Sequence, residues 1–182
     1  CGIGYNSEFG YGRIYTRFNI PYDIKKYAVI QNAEIWESEL TGDTAALSVT
    51  PYMVKSSWSE TGIKWSNMPE YDSDTKLETK IIDGDSMDDP YDSNMYSFNI
   101  KAAVEKWIDG TSNYGIVFIS NAEQTNRNCW KTFAAQNYIS SDYRPFTVIK
   151  YVNDTRAPKL LSVTGNPTEW TNEDVILTAN AT

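Results

Sequence analysis

The stretch that decides the fold is Met95–Ser120, "MYSFNIKAAVEKWIDGTSNYGIVFIS", because its hydrophobic period changes twice. In "MYSFNI" the apolar residues alternate, as on a strand with one covered face. The period then lengthens. Ile100, Ala103, Val104, Trp107 and Ile108 recur at helical spacing, with Asn99 placed to cap the start and Gly110 to end the turn. "YGIVFIS" is apolar on both faces, which predicts a central strand covered from two sides.

Outward from this stretch, the remaining segments read as strands and turns. "RIYTRFNI" (Arg13–Ile20) puts Ile14, Thr16, Phe18 and Ile20 on one face and Arg13, Tyr15, Arg17 and Asn19 on the other. "AVIQNAEIWESEL" and "AALSVTPYMV" follow, joined by the turn "TGDT", which suits a hairpin or a short connection. Pro51 inside the second run suggests an edge or a bulge. "KLETKII", "CWKTFAA" and "FTVIKYV" complete the set. Many short strands with one short helix predict an all-β chain, a jelly-roll β-sandwich. The 14% of aromatic residues, with 13 tyrosines, suit twisted sheets. At "NDTRAP" the composition becomes that of a linker. Residues 1–152 are expected to form the sandwich and 153–158 the linker. The segment 159–182, strand then turn then strand, is expected to be part of an immunoglobulin-like domain. Both ends of the chain read as cuts.

Composition narrows the function. A net charge of -8 disfavours a phosphate backbone as partner, so nucleic acid is not expected. No apolar run approaches the roughly 20 residues of a membrane span, and no basic-then-apolar leader is present. With no histidine anywhere, serine and cysteine triads and histidine-ligated zinc are excluded. Carboxylate-pair chemistry, tyrosine or lysine bases and calcium on oxygen ligands survive. Cys1 and Cys129 are too few for a disulfide scaffold, leaving one bridge as the available pairing. "CGIGY" runs directly into strand-like sequence, unlike the tether of an acylated cysteine.

"RIYTRFNIP", "SSWSETGIKWSNMP", "MYSFNIKAAVEKWIDGTSNYGIVFIS" and "YRPFTVIKY" together resemble, in order and spacing, the bacterial and archaeal DNRLRE domain family, from about Gly2 to Tyr151. The string that labels the family is absent, so the likeness rests on these segments. It implies a jelly-roll sandwich on extracellular, secreted or wall-associated multidomain proteins, similar to carbohydrate-binding modules, some of which bind acidic polysaccharides. The same domains occur in YD-repeat (Rhs-type) proteins. Family members usually carry a further strand region ahead of the position matching "IGYNS". The tail looks like the Ig-like repeats of Gram-positive surface proteins. In this reading Trp58 and Trp65 plug one end of the sandwich, Pro69 fixes the loop's exit, and Trp107 anchors the helix in the core.

A polysaccharide site needs flat rings to stack on sugars and rigidly held polar groups. Arg13, Tyr15 and Arg17 offer both, since two guanidiniums about 7 Å apart along a strand could hold uronic carboxylates. The plainer reading is that these arginines solvate a sheet face or pair with acids such as Glu34 or Glu37. Trp36, Trp130 and Lys131 would extend the surface if their strands are neighbours. Asp83, Asp85 and Asp88, in a run with Asp89 and Asp92, invite Ca2+, although the run lacks the EF-hand pattern and also reads as a solvated turn. Glu34 with Glu37 or Glu39, and Glu60 with Asp72, are the carboxylate pairs that could serve an enzyme, and nothing in the sequence forces them together. The expectation is a non-catalytic module whose partner is polysaccharide or a neighbouring domain of the same polypeptide. The alternative is a structural spacer or shell domain.

Overall fold

The computed structural model describes residues 1–75, 77–83, 94–125, 128–153, 160–164 and 178–181. Two antiparallel sheets make an all-β sandwich. The first is built on β4 (Val29–Gly42), a strand of 14 residues. It is long enough to take two partners along one edge: β11 (Phe146–Val152) beside Val29–Trp36 and β10 (Cys129–Phe133) beside Glu39–Gly42. On the other edge, β8 (Asn94–Asn99) pairs with Glu34–Glu39. β10 continues the sheet to β1 (Gly2–Asn6), which turns back through a hairpin to β2 (Gly10–Gly12).

The second sheet is centred on β5 (Leu47–Val54) and β9 (Ile116–Ser120). β3 (Ile14–Thr16) forms its edge beside β9, so "YGIVFIS" is the central, doubly covered strand its composition predicts. β6 (Tyr71–Asp72) and β7 (Lys80–Ile82) divide the far edge of β5. Because β4 and β5 lie in different sheets, "TGDT" is a connection between layers and not a hairpin. Pro51 sits on a central strand, but between the stretches paired to β7 and to β6, where no described strand needs its missing N–H.

Ile3, Ile35, Val49, Phe98, Ile116, Phe118 and Phe133 fill the space between the layers. Phe98 and Phe118 meet edge to face at 4.9 Å. Each such side chain contributes about 1.5–3 kcal/mol through burial. Helix α1 (Lys101–Ile108) buries Ala103, Val104 and Trp107 in the same core, as its period predicts. Asn99 Oδ1 accepts from the Lys101 N–H at 2.9 Å, and Gly110, at φ +112°, takes the left-handed turn that ends the helix. A one-turn helix, α2 (Ala122–Thr125), joins β9 to β10.

One strand differs from its expected extent. The strand expected over Arg13–Ile20 pairs only through Ile14–Thr16, although Phe18 and Ile20 still pack against the core. The bridge available to Cys1 and Cys129 is not formed. Cys1 lies at the level of Phe133, and the Cys129 thiol donates to the Ala45 carbonyl at 3.2 Å. In the C-terminal segment β12 (Leu160–Thr164) pairs antiparallel with β13 (Thr178–Ala181), while residues 154–158 of the expected linker and 165–177 lie outside the described residues.

Candidate functional site: a cavity at the edge strand

β3 is short because the chain leaves the sheet after Thr16, and this opens a cavity of about 350 Å³ at the sandwich's edge. β3 forms one wall with Arg13, Tyr15 and Arg17. The loop after β5 contributes Trp58 and Glu60, the segment after β10 contributes Ala134–Gln136, and β4 contributes Glu37. The expected set Arg13, Tyr15 and Arg17 therefore does gather at one opening, but its two arginines are not equivalent.

Arg13 is already engaged. Its Nε and Nη2 donate to the two carboxylate oxygens of Glu123 on α2 at 2.8 and 2.6 Å, with both side chains 13% exposed. Its guanidinium also lies 5.1 Å from the Trp65 ring centre and 5.6 Å from that of Tyr71. Pairing with an acid holds, but the acid is Glu123, not Glu34 or Glu37. Arg17 is exposed, and its guanidinium rests 5.8 Å from the Trp58 ring centre. Trp58 is held from behind by its indole N–H, which donates to the Tyr114 carbonyl at 2.8 Å, and from the side by an edge contact with Tyr15. Burial raises the pKa of the Tyr15 hydroxyl, which remains a neutral donor beside Arg13.

Trp65 does not plug the sandwich. It is 50% exposed and stacks on Tyr11 at 5.5 Å and 23°. The cause is a local turn over Trp65–Asn67: the Lys64 N–H donates to Asn67 Oδ1 at 2.6 Å, and Asn67 Nδ2 donates to the Gly62 carbonyl at 2.9 Å. This turn leaves the indole on the outside. Pro69 is half-buried and follows Met68 in extended backbone at the loop's exit.

Trp36, Trp130 and Lys131 do not extend the Arg17 surface. Trp36 and Trp130 alternate with the buried Ile35 and Lys131, so they face outward from the first sheet, whereas the arginine set alternates with the buried Ile14 of the second. Trp36 stacks on Phe146 at 5.9 Å and 5°. Trp130 lies over Gly2 and Gly12, where an added Cβ would come within 2.0 and 2.5 Å of its ring. Lys131 shares the inner phase of β10 with Cys129 and Phe133 and is fully buried. Its ammonium meets Glu39 Oε1 at 3.1 Å and donates to the carbonyls of Asp43 and Asp83, each at 2.7 Å.

The acids divide similarly. Asp83 is exposed and its carbonyl is taken by Lys131, while Asp85 and Asp88 lie outside the described residues. Among the described residues no group of three carboxylates or thiols could hold a metal ion. Asp72 accepts from Thr75 and Lys106, contacts that hold its carboxyl well below the usual range, and it does not pair with Glu60. Glu37 and Glu39 share the inner phase of β4 with Ala33 and Ile35 and are buried. Burial pushes the Glu37 carboxyl up to about 8, with the Cys1 amino group pulling the other way. No family model matches the chain, and no curated protein matches it. What the fold and site define is an all-β sandwich with a cavity at one edge strand, walled by aromatic, cationic and acidic side chains.

Proposed function

We propose that this chain is a non-catalytic carbohydrate-binding module of a secreted or cell-surface multidomain protein, of the DNRLRE type its sequence segments resemble, and that it binds acidic polysaccharide at the β3 cavity. The observation that carries the reading is Arg17 resting on Trp58 at the cavity's edge. The indole holds the guanidinium at the opening, where its remaining N–H groups supply donors for a carboxylate. Calorimetric titration with a uronic acid oligosaccharide and a neutral one tests it. Arg17→Ala is expected to weaken the uronic oligomer at least tenfold and to leave thermal stability unchanged, because Arg17 is exposed. Turnover of either oligomer would overturn the non-catalytic reading.

A second reading rests on a different patch. Phe9, 71% exposed at the tip of the β1–β2 hairpin, and the Trp65 ring stacked on Tyr11 present apolar surface that a neighbouring domain could cover. That is the behaviour of a structural spacer or shell domain of a wall-associated or YD-repeat protein. Absence of glycan binding would favour it. Among the described residues no helix is long and apolar enough to cross a membrane.

A further inference from the structure

The cavity contains one group that the indole and the guanidinium leave unused. Glu37 is 2% exposed, and its Oε1 has no hydrogen-bond partner among the described residues. It lines the cavity on one side and, on the other, a void of about 10 Å³ walled by Ile3, Ile14, Phe98, Phe118 and Phe133. Such a void is at the lower limit for a single water, so a partner larger than a water would have to reach the carboxyl from the cavity side.

We propose that Glu37 is a specificity-determining residue of this cavity: as the neutral acid it donates its O–H to the carboxylate of the uronic acid whose other contact is Arg17. This rests on the carbohydrate reading above and adds to it the group that selects an anionic sugar. A charged Glu37 would repel that carboxylate, whereas the protonated acid forms a short, charge-assisted hydrogen bond to it.

The surroundings favour the neutral form. From β3 and the residues flanking it, Arg13 is matched by Glu123, Tyr15 is a neutral hydroxyl, and Arg17 lies on Trp58. From the loop, Glu60 adds negative charge to the same opening. Tyr96 on β8 is the cross-strand partner of Glu37, and its hydroxyl accepts from the Asp83 N–H. On β4 itself, Glu39 is paired with Lys131. The Cys1 amino group is the cation that lowers the carboxyl's pKa, and burial outweighs it.

The test is calorimetric titration with galacturonate trimer, with galactose trimer and with a tri-glutamate peptide, between about pH 6 and 9. Since only the protonated form binds the anion, wild-type affinity for the uronic trimer is expected to fall about tenfold across that range, as Glu37 loses its proton near 8. Glu37→Gln keeps a neutral donor of the same size and is expected to bind with a flat pH profile. Glu37→Ala is expected to bind weakly throughout. Arg17→Ala is expected to lower affinity while keeping the slope. Any other group that titrates across this range keeps its effect in Glu37→Gln, so that variant isolates Glu37. An unchanged slope in Glu37→Gln would overturn the role of Glu37 and leave the carbohydrate reading standing. Failure of both trimers to bind would overturn both. Preferential binding of the peptide would overturn a sugar as the source of the carboxylate.

Discussion

Glu37 is a carboxyl whose burial favours its protonated form. Its ordinary value is 4.5, and burial raises it to about 8 in the folded chain. Below 4.5 both folded and unfolded chains are protonated, and the neutral acid's contribution to stability is fully present. Between the two values the unfolded chain releases a proton that the folded one keeps, so stability falls as pH rises, and the contribution is lost above about 8. At about 1.4 kcal/mol per pKa unit, the loss amounts to roughly 4–5 kcal/mol. Urea midpoints at about pH 5 and pH 9 are expected to drop much further for the wild type than for Glu37→Gln, which has no proton to lose. Equal drops would show that Glu37 is not the group responsible. The sequence contains the reason for its burial: Ala33, Ile35, Glu37 and Glu39 share one phase of a strand. Residue type alone sends both acids to solvent, and phase prevails. The same holds for Lys131 between Cys129 and Phe133. The Arg13–Glu123 pair, by contrast, joins the residue just ahead of β3 to α2, and no local pattern links them.

At the scale of elements, periodicity carried most of the fold. The lengthened spacing after Asn99 marks α1, the doubly apolar run marks β9, and the alternation from Val29 marks β4. Alternation failed at "RIYTRFNI", where the phase persists to Ile20 but the pairing stops at Thr16. The pairing ends beside a close approach of the two backbones. Gly115 stands at φ +90°, and a Cβ there would lie 2.2 Å from the Thr16 carbonyl oxygen. The backbone entering β9 thus presses against the end of β3 beside the cavity. Gly10 offers a comparison, since it also has positive φ, +79°, but has open space around it. Gly10→Ala is expected to cost only the backbone strain, about 1 kcal/mol. Gly115→Ala is expected to cost clearly more, because strain and clash add, and also to weaken ligand binding by displacing β3. Equal losses of stability in denaturant titrations would refute the close-approach argument.

For the whole molecule, the question is how much of the chain the sandwich needs. Its last strand, β11, lies against the first half of β4, and the residues just after it are fastened down. Tyr151 donates its hydroxyl to Asp23. Asn153 donates from Nδ2 to the Asp23 carbonyl at 2.8 Å and accepts at Oδ1 from the Lys25 N–H at 3.0 Å. These contacts close the loop that leads into β4. Beyond them, among the described residues, β12 and β13 pair with each other and with no strand of either layer. Strands that do not pair with the sandwich lend it little stability. Asn153 is thus the last described residue tied by these contacts to the sandwich. A chain truncated after Asn153 is expected to keep the thermal midpoint and the glycan affinity of the longer one. Truncation after Val148, which removes half of β11 and every tie to Asp23, is expected to abolish folding. If the first truncation lowered the midpoint by as much as a buried-residue substitution does, residues beyond 153 would have to belong to the same cooperative unit.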